Sequence, residues 1–98
     1  MEYQIISKKR FENKLVKLLK FLEEEWSKEV ADNFVQELKD RFKILRKQPF
    51  TGYPSSVPGV RSVIVGKYNR IYYKVRGTKI IVINIYDTRI NPTRNKLK

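Results

Sequence analysis

The chain reads as a single α+β domain of order β-α-α-β-β-β, a helical hairpin packed on a small, mainly antiparallel sheet. Two observations carry this reading. Apolar residues recur at spacings of three and four over residues 8–47, and then, after a stretch rich in Pro, Gly and Ser, give way to β-branched and aromatic runs over 60–87. A length of 98 residues suits one domain, 1–98, built on one core, and is too short for two.

The elements follow in order. Glu2 to Ile6 (E-Y-Q-I-I) has the composition of a short strand, and Ser7 is placed to N-cap the helix after it. From Lys8 to Glu25, Phe11, Leu15, Leu18, Leu19 and Leu22, followed by Trp26, form one apolar stripe on a helix of about four turns. That stripe is expected in the core. Ser27 can cap a second helix, with Glu29 in its first turn favoured by the helix dipole. Val30, Phe34, Leu38, Phe42 and Leu45 continue the spacing to Lys47, and the near absence of a loop folds the two helices into an antiparallel hairpin. Pro49 stops the second helix because its ring and missing N–H block continuation. Residues 48–59 form a loop long enough to suggest a use of its own.

Three strands close the chain. Val60–Val65 ends at Gly66-Lys67, Asn69–Arg76 is the second, and Lys79–Asp87 is the third. Gly77-Thr78 makes a two-residue turn, with Gly where a type II′ turn needs positive φ. Pairing Arg76 with Lys79 sets Tyr73 opposite Val82 and Ile71 opposite Asn84. Ile71, Tyr73, Val75, Ile80 and Val82 then share one face, and Arg70, Tyr72, Lys74 and Arg76 share the other with Ile81, Ile83 and Ile85. Neither face is purely polar, so periodicity does not say which one the helices cover. The run Ile80–Ile83 suits a strand covered on both faces.

Charge is distributed unevenly. Residues 1–42 hold nine Lys/Arg and nine Asp/Glu, whereas residues 43–98 hold thirteen Lys/Arg and one acid, Asp87, so the second part carries the whole net charge of +12. Such one-sided charge attracts phosphate backbones or an acidic protein. Neither Cys nor His occurs, which removes thiol chemistry, the usual general base and the commonest metal ligand. There is no Gly-rich phosphate loop, no metal-ligand cluster and no nucleophile beside a base, so neither a metal nor a cofactor is expected. The run Glu23-Glu24-Glu25 reads as a solvated face. No apolar run approaches the roughly 18 residues of a membrane span, and the first residues are too polar for a signal peptide, so a cytoplasmic protein is expected.

Four local motifs then stand in order after the helical hairpin: P-F-T-G-Y-P at 49–54, V-R-S-V at 60–63, Y-N-R-I-Y-Y-K-V at 68–75 and I-I-V-I-N-I-Y-D-T-R-I-N-P at 80–92. Together they resemble the RelE/ParE superfamily of type II toxins over almost the whole chain. The resemblance implies a growth-inhibiting toxin acting on translation, at the ribosome and its mRNA, and neutralised by a cognate antitoxin. The alternative it implies is a ParE-like inhibitor of DNA gyrase with no catalysis of its own; a non-toxic nucleic-acid-binding module is the third reading.

Residue by residue, Arg70 matches the arginine of the family's Tyr-rich strand, Arg89 the arginine ending the last strand, and Arg61 the first of a pair of lysines in the nuclease branch. These three are the candidate catalytic residues, since guanidinium groups stay charged and grip phosphate in a bidentate way. Lys67, Tyr72, Lys74 and Arg94 are candidate contacts to RNA or another target, and Tyr53 and Tyr68 are further candidates for stacking. The set for ribosome-dependent mRNA cleavage is incomplete. The second lysine of the pair falls on Val63, and the tail after Arg89 contains no Tyr or His; Tyr72 and Tyr73 are the substitutes available for proton transfer. Binding is therefore better supported than catalysis.

Overall fold

The structure is a computed structural model and describes residues 2–88. Its elements are β1 (Gln4–Ser7), α1 (Lys9–Glu25), α2 (Lys28–Lys47), β2 (Tyr53–Pro54), β3 (Val60–Val65), β4 (Asn69–Arg76) and β5 (Lys79–Asp87). The sheet order is β1-β5-β4-β3-β2; β1 runs parallel to β5 and every other pair is antiparallel. The expected α+β architecture is thus observed, with one addition. The loop after α2 contributes the short edge strand β2, whose Tyr53 and Pro54 pair with Ser62 and Arg61.

Ser27 caps α2 as expected, its Oγ accepting the Val30 N–H at 3.1 Å. Ser7 does not cap α1. It stays in β1, paired with Val82, and the helix begins after Lys8, which is extended and offers no side-chain cap. The Ser7 hydroxyl donates instead to Glu12 Oε2 at 2.6 Å. Pro49 follows directly on the C-cap of α2, Gln48, whose N–H reaches the Ile44 carbonyl.

The helices cover one face of the sheet. Phe11, Phe34, Leu38 and Leu45 meet Val63, Val65, Ile71, Tyr73, Ile80, Val82 and Ile85 in one buried cluster, with Ile5, Leu15, Leu18, Leu22 and Phe42 packed around it. Burying such side chains stabilises by about 1.5–3 kcal/mol each. The apolar stripe overshoots the core at the hairpin tip, where Trp26 is 70% and Val30 39% exposed. Trp26 lies past the last residue of α1, in the turn, so it no longer points along the buried stripe.

Gly77 has φ +57 and, among the described residues, no non-glycine residue has positive φ, as a type II′ turn at Gly77-Thr78 requires. The turn sets Arg76 opposite Lys79 and Tyr73 opposite Val82, but the simple ladder stops there. Tyr72 pairs with Asn84, so Ile83 is an extra residue on β5, a β-bulge, and Ile71 lies opposite Ile85 rather than Asn84. Past the bulge the alternation of β5 reverses, and Ile85 enters the core instead of joining Ile81 and Ile83 on the other face. Asn84 stabilises the bulge: its Oδ1 accepts the Ile85 N–H at 2.9 Å and its Nδ2 donates to Tyr86 Oη at 3.0 Å. Ile81 and Ile83 remain half-buried on a face outside the core cluster, so β5 is not covered on both sides.

Candidate functional site

Strand pairing organises the uncovered face into rows running across the sheet, because paired residues project to the same side. Gln4, Lys79 and Arg76 form one row; Ile6, Ile81, Lys74 and Val60 form the next. Then come Asn84, Tyr72, Ser62 and Tyr53, and finally Tyr86, Arg70 and Ile64. None of these residues is Asp or Glu, and three are tyrosines interleaved with cations. Tyr72 and Tyr86 meet edge to face with centroids 5.6 Å apart, and Arg70 donates to Ser62 Oγ at 2.9 Å. Lys14 reaches this cluster from α1, its Nζ lying 3.9 Å from the Tyr86 ring centroid. Burial, together with the charge of Arg10, lowers the Lys14 pKa below the ordinary lysine value.

Arg61 stands on the opposite face from Arg70. It pairs with Tyr73, on the helix-covered side, and its Nη1 donates to the carbonyls of Gly52 at 2.9 Å and Phe50 at 3.2 Å. Its guanidinium also lies over the Phe50 ring, 5.4 Å from the centroid. Tyr73, a sequence candidate for proton transfer, is fully buried; it donates to the Pro49 carbonyl at 2.7 Å and accepts the Gly52 N–H at 3.0 Å. Burial raises its pKa, against the opposing pull of the Gly52 N–H and the Arg61 charge. Arg61 and Tyr73 thus hold the loop 49–52 between them, while the Val63 side chain is buried in the core.

Of the expected residues, Arg70, Tyr72 and Lys74 come together on the open face, joined by Tyr53 from the edge strand. Lys67 is exposed in the turn between β3 and β4, beside Tyr68. Arg89 and Arg94 lie outside the described residues. The sequence reading missed Lys14, which sits on a helix read only for its apolar stripe, and Tyr86 and Asn84, whose placement depends on the bulge. Among the described residues no cluster of His, Cys, Asp or Glu could hold a metal ion, and no helix is long and apolar enough to cross a membrane. The open face therefore offers cations and aromatic surface for an anionic or mixed partner, and a charge-assisted grip from Arg70.

This arrangement, two helices on one face of a five-stranded mixed sheet, is the fold of toxins from type II toxin–antitoxin systems. A chain of the chromosomal ParDE toxin–antitoxin system from P. aeruginosa superposes with a TM-score of 0.75 at 21% identity, over 88% of this chain and 96% of that one. A chain of the toxin–antitoxin complex RelBE2 from Mycobacterium tuberculosis gives 0.62 at 16% identity, over 89% and 99%. One from the E. coli DinJ-YafQ toxin–antitoxin complex gives 0.60 at 14%, over 91% and 96%. No curated protein matches the chain. The family model described as ParE toxin of the type II toxin–antitoxin system, parDE, matches residues 5–92, and the chain belongs to that family.

Proposed function

We propose that this toxin inhibits growth by binding rather than by cutting, with DNA gyrase as its target and the open sheet face as its contact surface. The observation that carries the reading is the composition of that face: cations and tyrosines in register, with Arg70 paired with Tyr86, and no His, Asp or Glu among its described residues to act as general base. Arg61, the first candidate for catalysis, is engaged in holding a loop, and Val63 occupies the position of the second lysine in the nuclease branch. Membership of the ParE family supports the same reading. Arg70, Tyr72 and Lys74 carry target contact, assisted by Lys14 and Tyr86; Arg89, Arg94 and Lys67 are further candidates for it.

A cognate antitoxin is the expected partner, with an acidic segment that neutralises the cationic face and competes with the target. The second reading, cleavage of mRNA on the ribosome, is favoured by one observation: the Tyr72–Tyr86 pair beside Arg70 could stack a base next to a bound phosphate. Purified protein assayed side by side for gyrase supercoiling and for ribosome-dependent mRNA cleavage separates the two. Inhibition of supercoiling without cleavage supports the binding reading; cleavage without inhibition supports the other.

A further inference from the structure

The tip of the helical hairpin presents a second surface with the opposite charge. Between it and the β3–β4 turn lies a groove of about 390 Å³ with Leu22 and Phe34 among its lining residues. Phe21 (49% exposed), Trp26 (70%), Val30 (39%) and Tyr68 (45%) line the same groove. Exposed apolar side chains scattered singly are ordinary, but four large ones around a single groove are not. The flanking charge is equally distinctive on the hairpin side, while the far side of the lining adds one base, Lys67, and one acid, Asp87. Residues 21–37 hold six acids (Glu23, Glu24, Glu25, Glu29, Asp32, Glu37) and one base, Lys28, a local balance of −5 in a chain of +12. All six carboxylate side chains are exposed.

We propose that this groove docks an amphipathic polypeptide segment that is apolar on one side and carries Lys or Arg on its flanks. The apolar rim supplies contact area, and the acidic tip selects the basic flanks and disfavours an acidic segment. Charge complementarity thereby assigns the two surfaces to different partners, an anionic one on the open sheet face and a cationic one at the hairpin tip. The inference stands whether the toxin acts on gyrase or on mRNA, because none of Arg70, Tyr72 and Lys74 lines the groove.

Trp26 is the only tryptophan, so its emission reports directly on this groove. The full chain is titrated with a short synthetic peptide bearing a Leu face and Lys flanks, and with the same peptide carrying Glu in place of Lys. The expected result is a saturable blue shift with the Lys peptide, at least about tenfold tighter than with the Glu peptide and weakened by salt. Phe21→Asp should abolish the shift; reversing charge with Glu29→Lys and Glu37→Lys should weaken binding about tenfold while leaving the apolar rim intact. Tyr72→Ala, on the open face, should leave peptide binding unchanged. The proposal is overturned if the Lys peptide gives no shift, if the two peptides bind equally, or if Phe21→Asp, verified as folded by circular dichroism, binds as well as the parent. A blue shift on concentrating the protein alone, with doubling of its mass, would assign the groove to a second copy and overturn it too.

Discussion

The phenol oxygen of Tyr73 accepts the N–H of Gly52 at 3.0 Å, and the same hydroxyl donates to the Pro49 carbonyl at 2.7 Å. A fully buried residue of the central sheet thus fixes a loop that lies 21 to 24 residues earlier in the chain. Tyr73→Phe would leave both backbone groups without this partner. The expected loss is about 1–3 kcal/mol of stability, measured by urea denaturation.

Gly52 is where it is because nothing larger fits. A Cβ there would fall on Tyr73 Oη and lie 2.9 Å from the Ser62 carbonyl, both held in place by the surrounding sheet. Gly52→Ala should therefore destabilise by about 3 kcal/mol, at the upper end of overpacking, and lower the thermal midpoint accordingly. Gly59, with nothing near its would-be Cβ, provides the contrast: Gly59→Ala meets no such clash, although its φ of +80 imposes a smaller backbone cost.

The buried phenol also sets an alkaline limit. Its folded pKa is raised by burial, so the contribution of Tyr73 is complete below the unfolded value of about 10 and is lost as pH rises from there through the folded value. Stability measured from pH 8 upward should fall on the alkaline side. The fall should be shallower in Tyr73→Phe, which has no proton to lose at this position.

Arg61 and Arg70 should separate cleanly. Arg61→Ala removes two hydrogen bonds to the loop 49–52 and should cost about 1–2 kcal/mol of stability. Arg70→Ala removes a single bond to Ser62 and should change stability by less than about 1 kcal/mol while abolishing toxicity. Denaturation curves read beside growth arrest in cells check both. An Arg61→Ala protein that keeps full stability but loses toxicity would place Arg61 in the target site instead.

Much of this fold was legible in the residues because local signals agreed with the tertiary answer. The spacing from Phe11 to Leu22 and from Phe34 to Leu45 marked the helices, and Gly77-Thr78 fixed the last hairpin and the Tyr73–Val82 pair. The face assignment was not legible beyond that pair. Ile81, Ile83 and Ile85 look alike in sequence, and nothing local announces that Ile83 is inserted and that Ile85 turns inward. The same bulge decides that Tyr86 joins Tyr72, so the site was only partly visible. Arg61 could not be told from Arg70 by composition either; its role follows from standing over two loop carbonyls at the edge of the core face. The edge strand Tyr53–Pro54 was hidden because a two-residue pairing has no period.

On the proposed function, the open face of the sheet binds a target protein through Arg70, Tyr72 and Lys74 without chemistry of its own. The most direct measurement is gyrase supercoiling in the presence of purified toxin, wild type against Arg70→Ala and Tyr72→Ala. The expected result is inhibition by the wild type, its loss in both variants at unchanged stability, and no cleavage of mRNA on ribosomes by any of the three. Wild-type protein that leaves supercoiling untouched while cutting ribosome-bound mRNA would contradict it.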